Sequence, residues 1–245
     1  MSKKQFFTIS LSAEHINSVA FKRTVLRYPI TIVGIFVLLI SAFISSSHNA
    51  SLSGEWSRII GFAPHHLFDG ELYRIASSMI VTRGSYYFWI SFFMFAGCVG
   101  VAEDLFGTKK VILIFLAAHL FALLITSVLI ASPLHSFGLW RGSLLYAAHD
   151  VGPSAGYYGC LGSVLFFSRQ KGCRYLIYMV WILLAARLSY SWVVVPDQGR
   201  VISGDLAHIL AFGIGMLLGR YFTVQRLSSS ICSTVELLSS KEKGC

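Results

Sequence analysis

Charge is what this sequence has least of. Asp, Glu, Lys and Arg together make up 13% of its 245 residues, about half of what a soluble domain carries. That scarcity excludes an ordinary water-soluble globule. With 55% hydrophobic residues and a mean hydropathy of +0.68, the chain belongs in a bilayer. Cysteine is sparse as well. Cys98, Cys160, Cys173, Cys232 and Cys245 have no metal-ligand spacing and fall in predicted spans or on the predicted cytoplasmic side, so no disulfide framework is expected. There is no His-Glu-x-x-His or comparable signature: His65, His66, His135 and His149 read as loop or loop-edge residues, and neither a metal nor a cofactor is expected. A secretory leader with its short apolar region is not expected either. The first apolar run begins near Pro29, behind Lys3, Lys4, Lys22, Arg23 and Arg27, and reads as a retained span. No repeat of 20–50 residues is present.

What the sequence has is long apolar runs. Stretches able to cross roughly 30 Å of hydrocarbon lie at 29–48, 85–103, 110–131, 151–168, 173–195 and 205–224. Six such spans take up about half of the chain, which leaves no room for a separate soluble domain. The expected fold is an all-α membrane protein, a bundle of six transmembrane helices. Residues 1–28 form an N-terminal tail, 29–224 the membrane domain and 225–245 a C-terminal tail, Ser-rich and read as partly disordered. The loop at 49–84 holds Trp56, Phe62, Phe68 and Tyr73 among polar residues, as suits a segment lying in the membrane interface.

The formal charge of +9 does not point to nucleic acid, because the basic residues sit beside the spans and report topology. Lys3, Lys4, Lys22, Arg23, Arg27, Lys109, Lys110, Arg169, Lys171, Arg174, Arg220, Arg226, Lys241 and Lys243 fall on one side, against Arg58, Arg74, Arg83, Arg141 and Arg200 on the other. Both termini are therefore expected in the cytoplasm of a cell membrane of the bacterial inner-membrane kind.

Spans four and six then enter from the outer face, and Ser154 and His208 lie near their starts at a shared depth. Span six carries Ala207, Ala211, Gly215 and Gly219 at four-residue spacing, and span four carries Gly152, Gly156, Gly159 and Gly162, a pattern of small residues that lets membrane helices pack closely. A serine hydroxyl becomes a useful nucleophile when a histidine within reach takes its proton. Taken alone, a serine in a Gly-rich span is more often a packing residue bonded back to its own helix. An ionisable residue such as His208 inside a span points to function by default.

The run Gly152-Pro-Ser-Ala-Gly-Tyr-Tyr-Gly-Cys-Leu-Gly162 resembles the Gly-x-Ser motif of rhomboid intramembrane proteases, and Ala207-His-Ile-Leu-Ala-Phe-Gly-Ile-Gly215 is similar to their histidine motif. Upstream, Gly70-Glu-Leu-Tyr-Arg-Ile-Ala-Ser-Ser-Met79 resembles the family's Trp-Arg segment, and Glu103-Asp-Leu-Phe-Gly107 its Glu-x-x-x-Gly. The resemblance implies Ser154 as nucleophile, His208 as general base and then acid, Tyr158 stacked on the imidazole, and Gly152 supporting the site. It also implies transmembrane protein substrates in the bilayer and no third acidic member; Asp150 and Asp205 are read as solvated loop residues. It leaves the oligomeric state open. Two departures stand out. The family's His-x-x-x-Asn pair, which steadies the oxyanion, falls on Tyr87 and Ser91, and the Gly after the serine is Ala155. Loss of one oxyanion donor costs about 100- to 1000-fold in rate.

Two rival readings remain. One is a rhomboid-like pseudoprotease that binds transmembrane helices without cutting them. The other is a transporter, which the lack of an inverted repeat disfavours. Among the remaining intramembrane ionisable residues, His119 fits either a polar cavity or an interhelical hydrogen bond, and Arg187 is expected to snorkel toward the outer interface near Trp192.

The charge asymmetry makes one prediction. A reporter fused after Cys245 should be active only when that reporter works in the cytoplasm, and activity confined to the outer side would reverse the topology.

Overall fold

The computed structural model describes residues 27–168 and 171–242. Lys3, Lys4, Lys22, Arg23, Arg169, Lys243 and Cys245 lie outside the described residues, as do the side chains of Lys171, Arg226, Cys232 and Lys241. Helices are the regular elements of the described residues, with two isolated bridges, Ser51 to Gly84 and Phe62 to Asp150. Each of the six apolar runs is a helix. α1 is Pro29–Ile44, opened by Pro29 in its first turn, where a missing N–H does no harm. Three short helices follow in the loop: α2 (Gly54–Ile60), α3 (Pro64–Phe68) and α4 (Tyr73–Ser77). α5 is Tyr86–Phe106, and α6 is Thr108–Ser136. Each contains one wider π-helical stretch, Phe95–Val99 in α5 and Thr126–Ala131 in α6. α7 (Trp140–Ala147) leads to α8 (Ser154–Phe167), α9 (Lys171–Val194) and α10 (Arg200–Glu242).

Among the described residues, four helices are long and apolar enough to cross a membrane: α5, α6, the part of α9 from Cys173 to Val194, and the stretch Pro196–Gln225 that holds the start of α10. α1 is a shorter apolar helix, and α8 has 14 residues. α8 is the central element, packed between α10 and α6. Its Ala155, Gly156, Tyr157, Gly159, Cys160, Gly162 and Ser163 are all buried. α9 lies at the edge, with Tyr178, Met179, Ile182 and Leu183 exposed as a lipid-facing surface would be.

Both bounds of the sixth span move. α10 starts at Arg200, five residues before the predicted span, so His208 sits about two turns in. Its backbone also stays helical through Glu242, where a partly disordered tail was expected. No Gly or Pro interrupts residues 221–242, and a helix already begun adds one hydrogen bond for each residue it fixes.

The contact between α8 and α10 is made by backbone. A Cβ on Gly215 would collide with the Gly159 carbonyl, one on Gly162 with the Phe212 carbonyl, and one on Gly219 would stand 2.7 Å from Ser163 O. The four-residue stripe in α10 is therefore a seam against α8. Gly156 is a correction. It faces the Phe115 ring of α6 rather than α10, because it lies three residues ahead of Gly159, on the neighbouring side of the helix.

At the other end of the bundle the Glu103 carboxylate, 2% exposed, closes the start of α1. It accepts hydrogen bonds from Ile30 N at 3.1 Å, Thr31 N at 3.0 Å, Thr31 Oγ1 at 2.7 Å and Thr108 Oγ1 at 2.8 Å. It thereby satisfies N–H groups that a helix start leaves open, with the helix dipole in its favour. Gly107, at φ +78°, makes the turn from α5 into α6 that a side chain would resist.

Gly215→Ala should lower the thermal unfolding temperature in detergent more than Gly156→Ala. The first forces two backbones apart, at about 1–3 kcal/mol or more, whereas the second meets the outer end of a ring that can turn. Equal effects would mean that the seam is not the tight contact.

Candidate active site

α8 begins at Ser154, and the two residues before it set that start. Gly152 has φ +133°, a conformation that side chains rarely adopt, and donates its N–H to Ser78 O at 2.8 Å. Pro153 caps the helix without a side-chain hydrogen bond, which leaves the N–H groups of Ser154, Ala155 and Gly156 free at the helix start. His208 comes from α10, 13% exposed at its side chain, and Tyr158 lies over it with ring centres 4.5 Å apart and planes 31° apart.

These groups line one cavity of about 400 Å³, together with Gly152, Tyr87, Ser91, Tyr157, Arg187 and Asp205. All six residues singled out from the sequence, Ser154, His208, Tyr158, Gly152, Tyr87 and Ser91, thus face the same space. No hydrogen bond joins Ser154 to His208 among the described residues. His208 Nδ1 is buried without a hydrogen-bond partner, and it stands 3.8 Å from the Asp205 carboxylate.

The rhomboid-domain family model matches residues 69–225, more than half of the chain. The chain belongs to the rhomboid family. No curated protein matches it significantly.

Several polar residues of this rhomboid differ from their sequence reading. Asp205 is not a solvated loop residue: it is 2% exposed, within α10, and pairs with Arg187 at 2.9 Å. The Arg187 side chain is 47% exposed, with its guanidinium reaching Asp205. The guanidinium near Trp192 is that of Arg141, which donates to Trp192 O at 2.9 Å. Asp150 is also enclosed and bonds Arg83 at 2.9 Å. Arg83 in turn donates to Arg200 O, and the Phe62 and Asp150 backbones exchange hydrogen bonds of 3.0 and 2.8 Å. Burial opposes the charge on Arg83, but Asp150 beside it raises the pKa and keeps the guanidinium ionised. The signal for Asp205 was its position three residues before His208, which puts both on one helix face. Nothing local in the sequence marks Arg83 as the partner of Asp150.

The motif arginine, Arg74, knits the outer loop together. It pairs with Glu71 and donates to Arg58 O at 2.6 Å, Ile59 O at 2.9 Å and Gly61 O at 3.2 Å, closing the C-terminal end of α2. His119 takes the interhelical option, with its Nε2 donating to Ile75 O of α4 at 2.9 Å. Beside the loop that leads to Ser154, His65, His66 and His149 gather with their ring nitrogens within 4.8 Å of one another. Burial, helped by the neighbouring His65, pushes His66 down to about 4, and burial lowers His149 as well.

Asp150→Ala should destabilise the protein by on the order of 3 kcal/mol, because it leaves a largely enclosed Arg83 unpaired. The double variant Arg83→Met with Asp150→Ala should recover part of that loss. Additive effects in thermal unfolding would show that the pair does not act as a unit.

Proposed function

We propose that this rhomboid is an intramembrane serine protease that cuts transmembrane segments of other membrane proteins. One observation carries the reading: the single cavity that Ser154, His208 and Tyr158 share at the head of α8. In this proposal all six helices span the bilayer, with both termini in the cytoplasm and the cavity open to the outer side, through which water reaches the acyl-enzyme.

His208 takes the Ser154 proton as the hydroxyl oxygen attacks the scissile carbonyl, and then returns a proton to the leaving amine. Water repeats the attack on the resulting ester and frees the enzyme. With Nδ1 toward Asp205, the Nε2 atom is the ring nitrogen left for Ser154. In the proposed reaction the two side chains approach to hydrogen-bond distance, as happens in sites that are looser when empty. The negative oxygen of the intermediate is met by the free N–H groups at the start of α8 and the dipole behind them, with Tyr87 and Ser91 as additional hydroxyl donors. Asp205 is a positioning residue in this scheme. Held by Arg187, it favours the tautomer with hydrogen on Nδ1 and steadies the imidazolium as it forms.

The replacement of the family's oxyanion pair by Tyr87 and Ser91 favours a second reading, a pseudoprotease that holds transmembrane helices. A transmembrane reporter in detergent separates the two. A protease yields a cut product with the wild type and none with Ser154→Ala or His208→Ala, both folded, and the double variant is no worse than either single one. Asp205→Asn should lower kcat about tenfold or more and leave KM nearly unchanged. A reporter left whole by the wild type, yet still retained by it, supports the pseudoprotease.

A further inference from the structure

Adjacent residues of a helix point about 100° apart, yet the rings of His65 and His66 in α3 converge to 4.0 Å between centres. His149, from the loop that leads to Ser154, completes the group at 5.5 Å from His65 and 5.0 Å from His66, with its plane turned 70° and 71° to theirs. In a tetrahedral site with Zn–N of 2.0–2.1 Å, ring centres stand about 5 Å apart. Two of the three separations already match, and the third needs the His65–His66 pair to open slightly.

We propose that His65, His66 and His149 bind one Zn²⁺ ion or a similar borderline divalent cation. The donor set is all imidazole. The nearest carboxylate, Glu71, is engaged by Arg74, so oxygen-seeking cations such as Mg²⁺ and Ca²⁺ find no cage. Two rings are already set as ligands. His65 Nδ1 and His149 Nδ1 lie 3.0 Å from the carbonyls of Tyr146 and Ala147, which can only accept, so both Nδ1 atoms carry hydrogen and both Nε2 atoms present a lone pair. This is the backbone bracing that orients metal-bound histidines. His66 Nδ1 instead accepts from Ala63 N at 3.0 Å. Its ligation gives up that bond, which makes it the last of the three to join. A water completes the fourth position. Once bound, the ion ties the outer loop at α3 to the chain five residues before Ser154, next to the Phe62–Asp150 bridge.

The site is tested on the full chain in detergent, stripped with a chelator and dialysed against Zn²⁺. One ion per chain should bind with micromolar affinity or better. His65→Ala and His149→Ala should each weaken it about tenfold or more, His66→Ala less, and His48→Ala not at all. A variant with all five cysteines replaced by serine should keep the ion. With Co²⁺ the visible bands should be those of a four-coordinate nitrogen site, a readout that needs no variant to fold. Zn²⁺ should also slow protease cleavage within residues 49–84 of the wild type and leave His149→Ala unprotected. Absence of binding by the wild type, binding unchanged in His65→Ala and His149→Ala, loss of the ion with the cysteines, or octahedral Co²⁺ bands would each overturn the proposal.

Discussion

The rest of the structure depends on the contact in which α8 and α10 meet backbone to backbone. Lipid offers no hydrophobic drive for two apolar helices to associate, so their packing rests on close van der Waals contact over a matched surface. Glycines at 159 and 162 on one helix and 215 and 219 on the other remove the side chains that would hold the axes apart. Ala155, Ala207 and Ala211, packed with Ala118 and Ala122 of α6, continue the small-residue layer toward the site. The cavity follows from this geometry. Where the seam ends near the head of α8, Ser154, Tyr158 and His208 face one space from two helices held in fixed register.

A second constraint is that backbone polar groups must find partners inside a bilayer. The chain meets it at both ends of the bundle by ionisable side chains that bond backbone. Glu103 closes the start of α1, and Arg74 closes the end of α2. Arg83 joins Asp150 to the start of α10 at Arg200. These contacts give the family's Arg and Glu-x-x-x-Gly segments a structural meaning: they fix the connections between helices, so that the helices can present the site. The polar layer around His208 is different. Asp205 and Arg187 pair with each other and face the cavity beside His208.

Much of the fold was legible in order. The six apolar runs are helices because each is continuous and apolar, and the stripe at 207, 211, 215 and 219 is a contact because four-residue spacing stays on one face. The site residues were legible through motifs, with Ser154 opening α8 and His208 about two turns into α10. Asp205 and Asp150 were misread for one reason. A charge near the end of an apolar run looks solvated in a linear sequence, whereas here each is matched by an opposite charge from a distant segment. Gly156 was assigned to the wrong neighbour because three- and four-residue spacing around a narrow Gly-rich helix does not say which of two flanking helices each glycine meets.

By itself the sequence determined that the chain is a membrane protein, which runs become helices, and which small residues allow two of them to touch. Those properties are local and additive, set by hydropathy, period and side-chain volume. The tertiary structure decided the pairings: Asp205 with Arg187, Asp150 with Arg83, Glu103 with the start of α1, and the meeting of His65 and His66 with His149. Each joins residues that no local periodicity links, and in a low-dielectric interior it is the partner, more than the residue type, that fixes whether a charge is stable and what it can do.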